Sequence, residues 1–251
     1  MRSLPVLFLF ALSFAAFADE AKRHDPEGAQ QYQHCINLAR TVPEEGWHEA
    51  LAWSTLGGGE PAQHCIAVAM IGMNQYEEGA KRLENLADAS DAGPKLRAGM
   101  LAQAGQALLM AKQPDEAFRV QSKALLLVPG APDLLVDRAQ SQAEDRNYGG
   151  ALIDLDAALR AAPDRVDALV FRATAKRHLE DLDGARADIA AALKVDPQSQ
   201  DGWLEDGILK GLTNDRDGAR ASWQKVIELA PQSDAADTAR KDLELLDGGR
   251  G

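Results

Sequence analysis

The sequence predicts an all-α fold, a solenoid of stacked helical hairpins closed by a C-terminal capping helix. Three observations carry that prediction. First, Pro129, Pro163, Pro197 and Pro231 stand 34 residues apart, and a fixed period of this size marks a repeat array. Second, Ala117, Ala151, Ala185 and Ala219 share the period, as do the small residues Gly105, Ala139, Ala173 and Gly207. So do the apolar sets Leu101, Leu135, Leu169, Trp203 and Leu125, Leu159, Leu193, Ile227. Third, inside one period the apolar residues recur at steps of three and four, the spacing of one helical face.

Taken in order along the unit 166–199, Val166, Leu169, Val170 and Ala173 make the stripe of a first helix. A break follows around Glu180 to Asp183, and Ala185, Ile189, Ala192 and Leu193 make a second stripe that stops just before Pro197. Proline cannot continue a helix and restricts the residue before it, so each periodic proline closes a second helix. Small residues at the eighth and twentieth places of the unit let the two helices approach closely. No single hairpin buries both stripes alone, so neighbours must stack into a continuous core.

These columns resemble the tetratricopeptide repeat (TPR) family, whose pattern has a large apolar or aromatic residue at place four, small residues at places eight, twenty and twenty-seven, and proline at thirty-two. The resemblance covers four units in residues 98–231, starting at Ala98, Pro132, Val166 and Gln200, and Trp203, Gly207, Ala219 and Pro231 make the last the fullest match. The family's aromatic at place eleven is replaced by Leu108, Gln142, Lys176 and Lys210, so packing there must differ. Two irregular units precede in residues 27–96. Their second helices are expected to start near Gly46 to Ala50 and Asn74 to Ala80, with a spacing near 30. The resemblance implies a right-handed superhelix whose concave face is lined by first helices.

Carried over place by place, that face comprises Asp133, Val136, Gln140 and Glu144, then Asp167, Val170, Thr174, Arg177 and His178, then Asp201, Leu204, Ile208 and Leu212. Three aspartates would form an acidic row beside an apolar one, suiting an extended peptide or a partner helix that carries basic and apolar groups. The competing reading places each aspartate in the first turn of its helix, where negative charge favours the exposed amides. Arg138 with Asp154 and Arg172 with Asp188 occupy places seven and twenty-three. Both partners change together in the other two units, to Ala104 with Val120 and to Asp206 with Ser222, which predicts contact between the paired helices. A structural ion pair there contributes about 0–1 kcal/mol if exposed.

The opening segment, residues 1–18, has a basic start, an apolar run from Leu4 to Phe17 and Ala16-Phe17-Ala18 as a small-x-small site, and reads as a secretory signal peptide. Residues 19–26 read as a flexible leader, 232–247 as a capping helix that begins at a serine cap, and 248–251 as a frayed tail. An exported chain is expected, periplasmic in a Gram-negative source. Its formal charge of −12 becomes −13 once Arg2 leaves with the signal, which disfavours nucleic acid and anionic membranes.

Gln33-His34-Cys35 recurs as Gln63-His64-Cys65, each expected near the start of a first helix. Two cysteines in an exported chain favour a disulfide, which would constrain the unfolded state by about 3–4 kcal/mol. Helix axes about 8–10 Å apart sit uneasily with the roughly 7 Å Cα limit of a disulfide. Free thiols, or a redox or metal-handling module built on the two His-Cys pairs, remain the alternatives. No catalytic pattern appears. His48-Glu49 lacks a second histidine four places on, and no lysine and serine or threonine follow Gly57-Gly58-Gly59 in phosphate-loop spacing. Those glycines read as a turn before a helix starting at Pro61, with an anion site on the backbone amides as the lesser reading. His24 falls in the leader and His178 late in a first helix. The expectation is a non-enzyme without cofactor or metal that binds a protein or peptide.

Overall fold

The computed structural model describes residues 26–248, which form thirteen α-helices and, among the described residues, no strand. The signal segment, the leader up to residue 25 and residues 249–251 lie outside them. No described helix is long and apolar enough to cross a membrane. The chain divides into two units within one helix, between Ser141 and Gln142.

The first unit holds α1 (Pro26–Thr41), α2 (Pro43–Thr55), α3 (Gly59–Gly72), α4 (Tyr76–Ala89), α5 (Pro94–Met110), α6 (Pro114–Leu127) and most of α7 (Pro132–Glu144). The second holds α8 (Tyr148–Ala161), α9 (Val166–His178), α10 (Leu182–Val195), α11 (Gln200–Leu212), α12 (Arg216–Leu229) and α13 (Asp234–Gly248). Odd numbers up to α11 are first helices and even numbers second helices. In the first unit each helix packs on the next from α1 to α6, and α1 also packs on α3. In the second the same holds from α8 to α13, with α9 on α11 and α11 on α13. Contact between successive first helices is what turns a string of hairpins into a solenoid.

The turn inside each hairpin repeats as strictly as the prolines. Gln75, Gln113, Asn147, Asp181 and Asp215 donate their backbone N–H to the carbonyl five residues back, at 2.8–2.9 Å. The residue before each, Asn74, Lys112, Arg146, Glu180 or Asn214, is left-handed with φ between 61° and 66°. This is the Schellman closure, made here without the usual glycine. Asn147, Asp181 and Asp215 then cap the second helices, their side-chain oxygens accepting from the N–H of Gly150, Gly184 and Gly218 at 3.0 Å. Between hairpins, Pro129, Pro163, Pro197 and Pro231 each stand two residues past the last helical residue, as the period predicts.

Close approach within the hairpin explains the small-residue columns. A Cβ on Gly105 would lie 2.5 Å from Gln121 Cγ, and one on Gly207 would lie 2.4 Å from Trp223 Nε1. Glycine therefore stands at place eight where the second helix offers a long amide or an indole. At place twenty, Ala117, Ala151, Ala185 and Ala219 are all fully buried. The array ends as expected: Ser233 Oγ accepts from Ala236 N–H at 3.1 Å to start α13. That helix lays Ala235, Ala236 and Ala239 against Trp223 and Val226, with Leu243 and Leu246 alongside. Asp237, Lys241 and Glu244 on its other side are exposed.

Several boundaries differ from the sequence reading. The first helix of the unit placed at Ala98 begins at Pro94, because a proline fits the first helical position. Second-helix positions four in the early repeats are Gly46 and Gly79, 33 apart and then 38 from Ala117, so the spacing is not near 30. The longer α5 and its approach absorb the extra residues. Cys35 is the tenth residue of α1 and Cys65 the seventh of α3, well inside their helices rather than near the starts. Helix α3 starts at Gly59, two residues before Pro61, since Gly57 at φ 92° and the Gly58 N–H to Trp53 carbonyl bond already close the turn. Pro26 and Gly248 are helical rather than leader and tail.

Of the expected ion pairs, Arg172 grips Asp188 in a fork, Nε to Oδ2 at 2.9 Å and Nη2 to Oδ1 at 2.6 Å, with Lys176 adding a bond at 2.7 Å. One unit on, the replaced pair still meets, Ser222 Oγ donating to Asp206 Oδ2 at 2.5 Å. Arg138 lies over the Phe118 ring at 5.5 Å, and Asp154 accepts from Gln142 Nε2 at 2.7 Å.

Two stability changes follow. Gly207→Ala should lower unfolding free energy by about 1–3 kcal/mol through overpacking against Trp223. Glu180→Gly should raise it by about 0.5–1 kcal/mol, because relief of a left-handed conformation costing about 1–2 kcal/mol exceeds the glycine entropy cost of about 0.5–1. Urea titration followed by circular dichroism checks both.

Candidate functional site

The first helices carry the side chains that sequence reasoning assigned to binding, and in the first unit they carry more than it found. Tyr32 on α1, His64 on α3 and Gln103 on α5 form one buried chain, with Tyr32 Oη 2.9 Å from His64 Nδ1 and His64 Nε2 2.8 Å from Gln103 Oε1. The amide oxygen can only accept, so Nε2 carries the proton and Nδ1 accepts from the tyrosine hydroxyl. One turn further along α5, Gln106 Nε2 donates to Asp137 Oδ1 of α7 at 2.8 Å. Gln103 Nε2 and Gln106 Oε1 have no hydrogen-bond partner among the described residues. The signal that could have found this row was a polar residue on each first helix, among them Gln103 and Gln106, three apart and so on one face of α5.

Burial sets the protonation of this chain. It holds His64 down at about 4, against the opposing hydrogen bond to Gln103, and pushes the Tyr32 hydroxyl well above its usual range. Beside it, Cys35 and Cys65 form a disulfide with Cα atoms 6.2 Å apart. The geometric reservation about helix separation is met because α1 and α3 pack directly and both cysteines are fully buried. Measured from Gly46 and Gly79, the two cysteines lie 11 and 14 residues upstream, so they are offset by nearly a turn rather than equivalent.

The two histidines of the repeated tripeptide go separate ways. His34 is exposed, its Nε2 3.2 Å from Glu49 Oε2, while His64 is inside. With the sulfurs bonded to each other, the redox or metal-handling reading gains no support from this geometry. Among the described residues no group of three or more potential ligands could hold a metal ion.

In the second unit α9 and α11 hold nine of the expected residues. Val170 and Leu204 are buried, whereas Thr174 and Ile208 are half-buried and Asp201 is exposed. Arg177 Nε donates to Glu205 Oε1 at 2.5 Å, so this cation is already engaged by a carboxylate that sequence reasoning missed. His178 stacks on Tyr148 with ring centroids 4.2 Å apart and planes 2° from parallel. Burial, with Arg177 and Arg146 nearby, holds its imidazole below the usual range. Leu212 at the end of α11 is exposed.

The aspartates are not alike. Asp167 takes Arg165 in a bidentate pair at 2.7 Å and accepts from the Ala168 N–H. Among the described residues Asp201 makes no such pair. Solvent reaches it, yet surrounding protein desolvates its carboxyl and raises its pKa. Both stand second in their helices, and the cap of α11 is Ser199, which accepts from Gly202 N–H at 3.1 Å. On α7, Asp133 and Gln140 are half-buried, Val136 is buried and Glu144 is exposed.

No family model matches the sequence, and no curated protein does either. Solved structures do resemble the fold. MamA residues 41 to the end from Desulfovibrio magneticus RS-1 is 23% identical, with a TM-score of 0.57 over 70% of this chain and 97% of that one. YrrB, described as a TPR protein with an unusual peptide-binding site, is 20% identical at a TM-score of 0.51, over 76% and 96% of the two chains. Yeast Tom70 reaches 0.66 at 16% identity, over 92% of this chain but only 49% of its own. The fold is therefore the tetratricopeptide-repeat solenoid.

The buried histidine gives a pH signature. Unfolded His64 titrates at 6.5 and the folded residue at about 4, so the unfolded chain binds the extra proton in between. Stability should be full above pH 6.5 and fall by about 3 kcal/mol as pH drops to 4. Thermal melts at stepped pH check this, and His64→Gln should flatten that part of the profile.

Proposed function

We propose that this chain is a non-catalytic protein–protein interaction scaffold of the cell envelope, holding a peptide or partner helix along the first-helix face of α9 and α11. The observation that carries the reading is Asp201, a carboxylate open to solvent, partly desolvated and unpaired among the described residues, on first helices that also carry half-buried Thr174 and Ile208. A desolvated carboxylate gains more from an incoming cation than a hydrated one does, and Ile208 supplies apolar contact two turns further along the same helix. The partner segment would therefore pair a lysine or arginine with an apolar side chain. Asp167 contributes less, because Arg165 already compensates its charge. The sequence pattern of residues 1–18 supports export, and the Cys35–Cys65 disulfide suits an oxidising compartment such as the periplasm. YrrB, of like fold, is described as peptide-binding, which supports this use of the face.

Partner capture from envelope extract, followed by titration of the captured protein, tests the proposal. Asp201→Asn should weaken binding roughly tenfold, as loss of one partly desolvated charge pair implies. Asp167→Asn should change it far less, with both melting temperatures near that of the parent. Equal, unchanged affinity in both variants would refute the role of this face.

A further inference from the structure

In the second unit, a cavity of about 260 Å³ opens between α8 and α9, lined by Asp156, Leu159, Arg160, Pro163, Leu169 and Arg172. That is below the roughly 300–1,000 Å³ of small-molecule sites and suits one large side chain. The next repeat shows what such a side chain would look like. Thirty-four residues on from Pro163 and Leu169 stand Pro197 and Trp203, and the Trp203 indole reaches back to donate Nε1–H to the Pro197 carbonyl at 2.9 Å. Leu169 is shorter and has no N–H to offer, so the space before Pro163 stays open. Its floor is apolar, since Leu159 and Leu169 are both buried.

The rim is basic. Arg172 is neutralised by Asp188 and Asp156, but Arg160 is exposed and, among the described residues, makes no ion pair or hydrogen bond. A guanidinium at the mouth of an apolar notch attracts an aromatic face and a carboxylate. We infer that this notch is a docking site for a tryptophan of a protein partner, followed in the partner's sequence by an acidic residue. The indole would lie on Leu159 and Leu169, donate to the Pro163 carbonyl as Trp203 does to Pro197, and leave the acid to Arg160. The inference rests on the scaffold reading but uses a different surface from the Asp201 face.

The probe is a short peptide holding fluorotryptophan followed by aspartate, titrated with the full chain and read by fluorine NMR. A saturable shift is expected. Leu169→Trp should abolish it by filling the notch from within, and Arg160→Glu should weaken it about two- to fivefold. If Leu169→Trp fails to melt cooperatively, the exposed Arg160→Glu variant decides alone. No saturable shift, or the same affinity in the folded variants as in the parent, overturns the inference. Because the probe is not the captured partner, such a result leaves the Asp201 test standing, and the reverse failure leaves this one standing.

Discussion

The distance between the two helices of each hairpin is the constraint on which the rest of the molecule depends. Where the second helix carries Gln121 or Trp223, the first helix can supply only glycine opposite, at Gly105 and Gly207. Early in the chain the roles reverse, and a Cβ on Gly46 of the second helix would lie 2.4 Å from the backbone nitrogen of Ala39 on the first. The contacts of Gly46 and Gly207 are against backbone and a rigid ring, so they cannot relax cheaply. Fixing the hairpin fixes the angle at which its outer stripe meets the next hairpin, and hence which residues successive first helices present.

The two units satisfy their polar groups by different chemistry. In the first, neutral groups and one covalent bond link the first helices through Tyr32, His64, Gln103 and the Cys35–Cys65 disulfide. In the second, charges do the linking: Arg172 on Asp188 joins a first helix to its own second helix and Arg177 on Glu205 joins first helix to first helix, with both acidic partners almost wholly buried. Desolvating a neutral hydrogen-bonded group costs far less than desolvating an ion. The first unit can therefore bury its polar row outright, while the second keeps its arginines partly hydrated at the surface. That difference leaves α9 and α11 with groups able to meet a partner, and it makes His64 one of the groups through which acid weakens the first unit.

Binding capacity in this fold arises where the repeat fails to complete itself. Asp201 lacks the arginine that quiets Asp167, and Leu169 lacks the indole with which Trp203 closes on Pro197. Regular positions are spent on packing. The places where one unit departs from its neighbour are those with unsatisfied charge or open volume.

Period, hairpin, capping helix and the Arg172–Asp188 pair were all legible in the residues, because each is a local pattern or a repeated column and needs no coordinates. The left-handed turn residues escaped notice, since Lys112, Arg146 and Glu180 are not residue types that advertise that conformation. The segments Gly46–Ala50 and Asn74–Ala80 mark the second helices of the irregular repeats but not their register, because the matching positions are Gly46 and Gly79, 33 apart rather than near 30. A one-dimensional string determined that these helices must stack. Only the packed chain decided which aspartate keeps its charge free, which histidine is entombed, and where a leucine leaves a tryptophan-sized gap, because those properties depend on atoms brought together from separate helices.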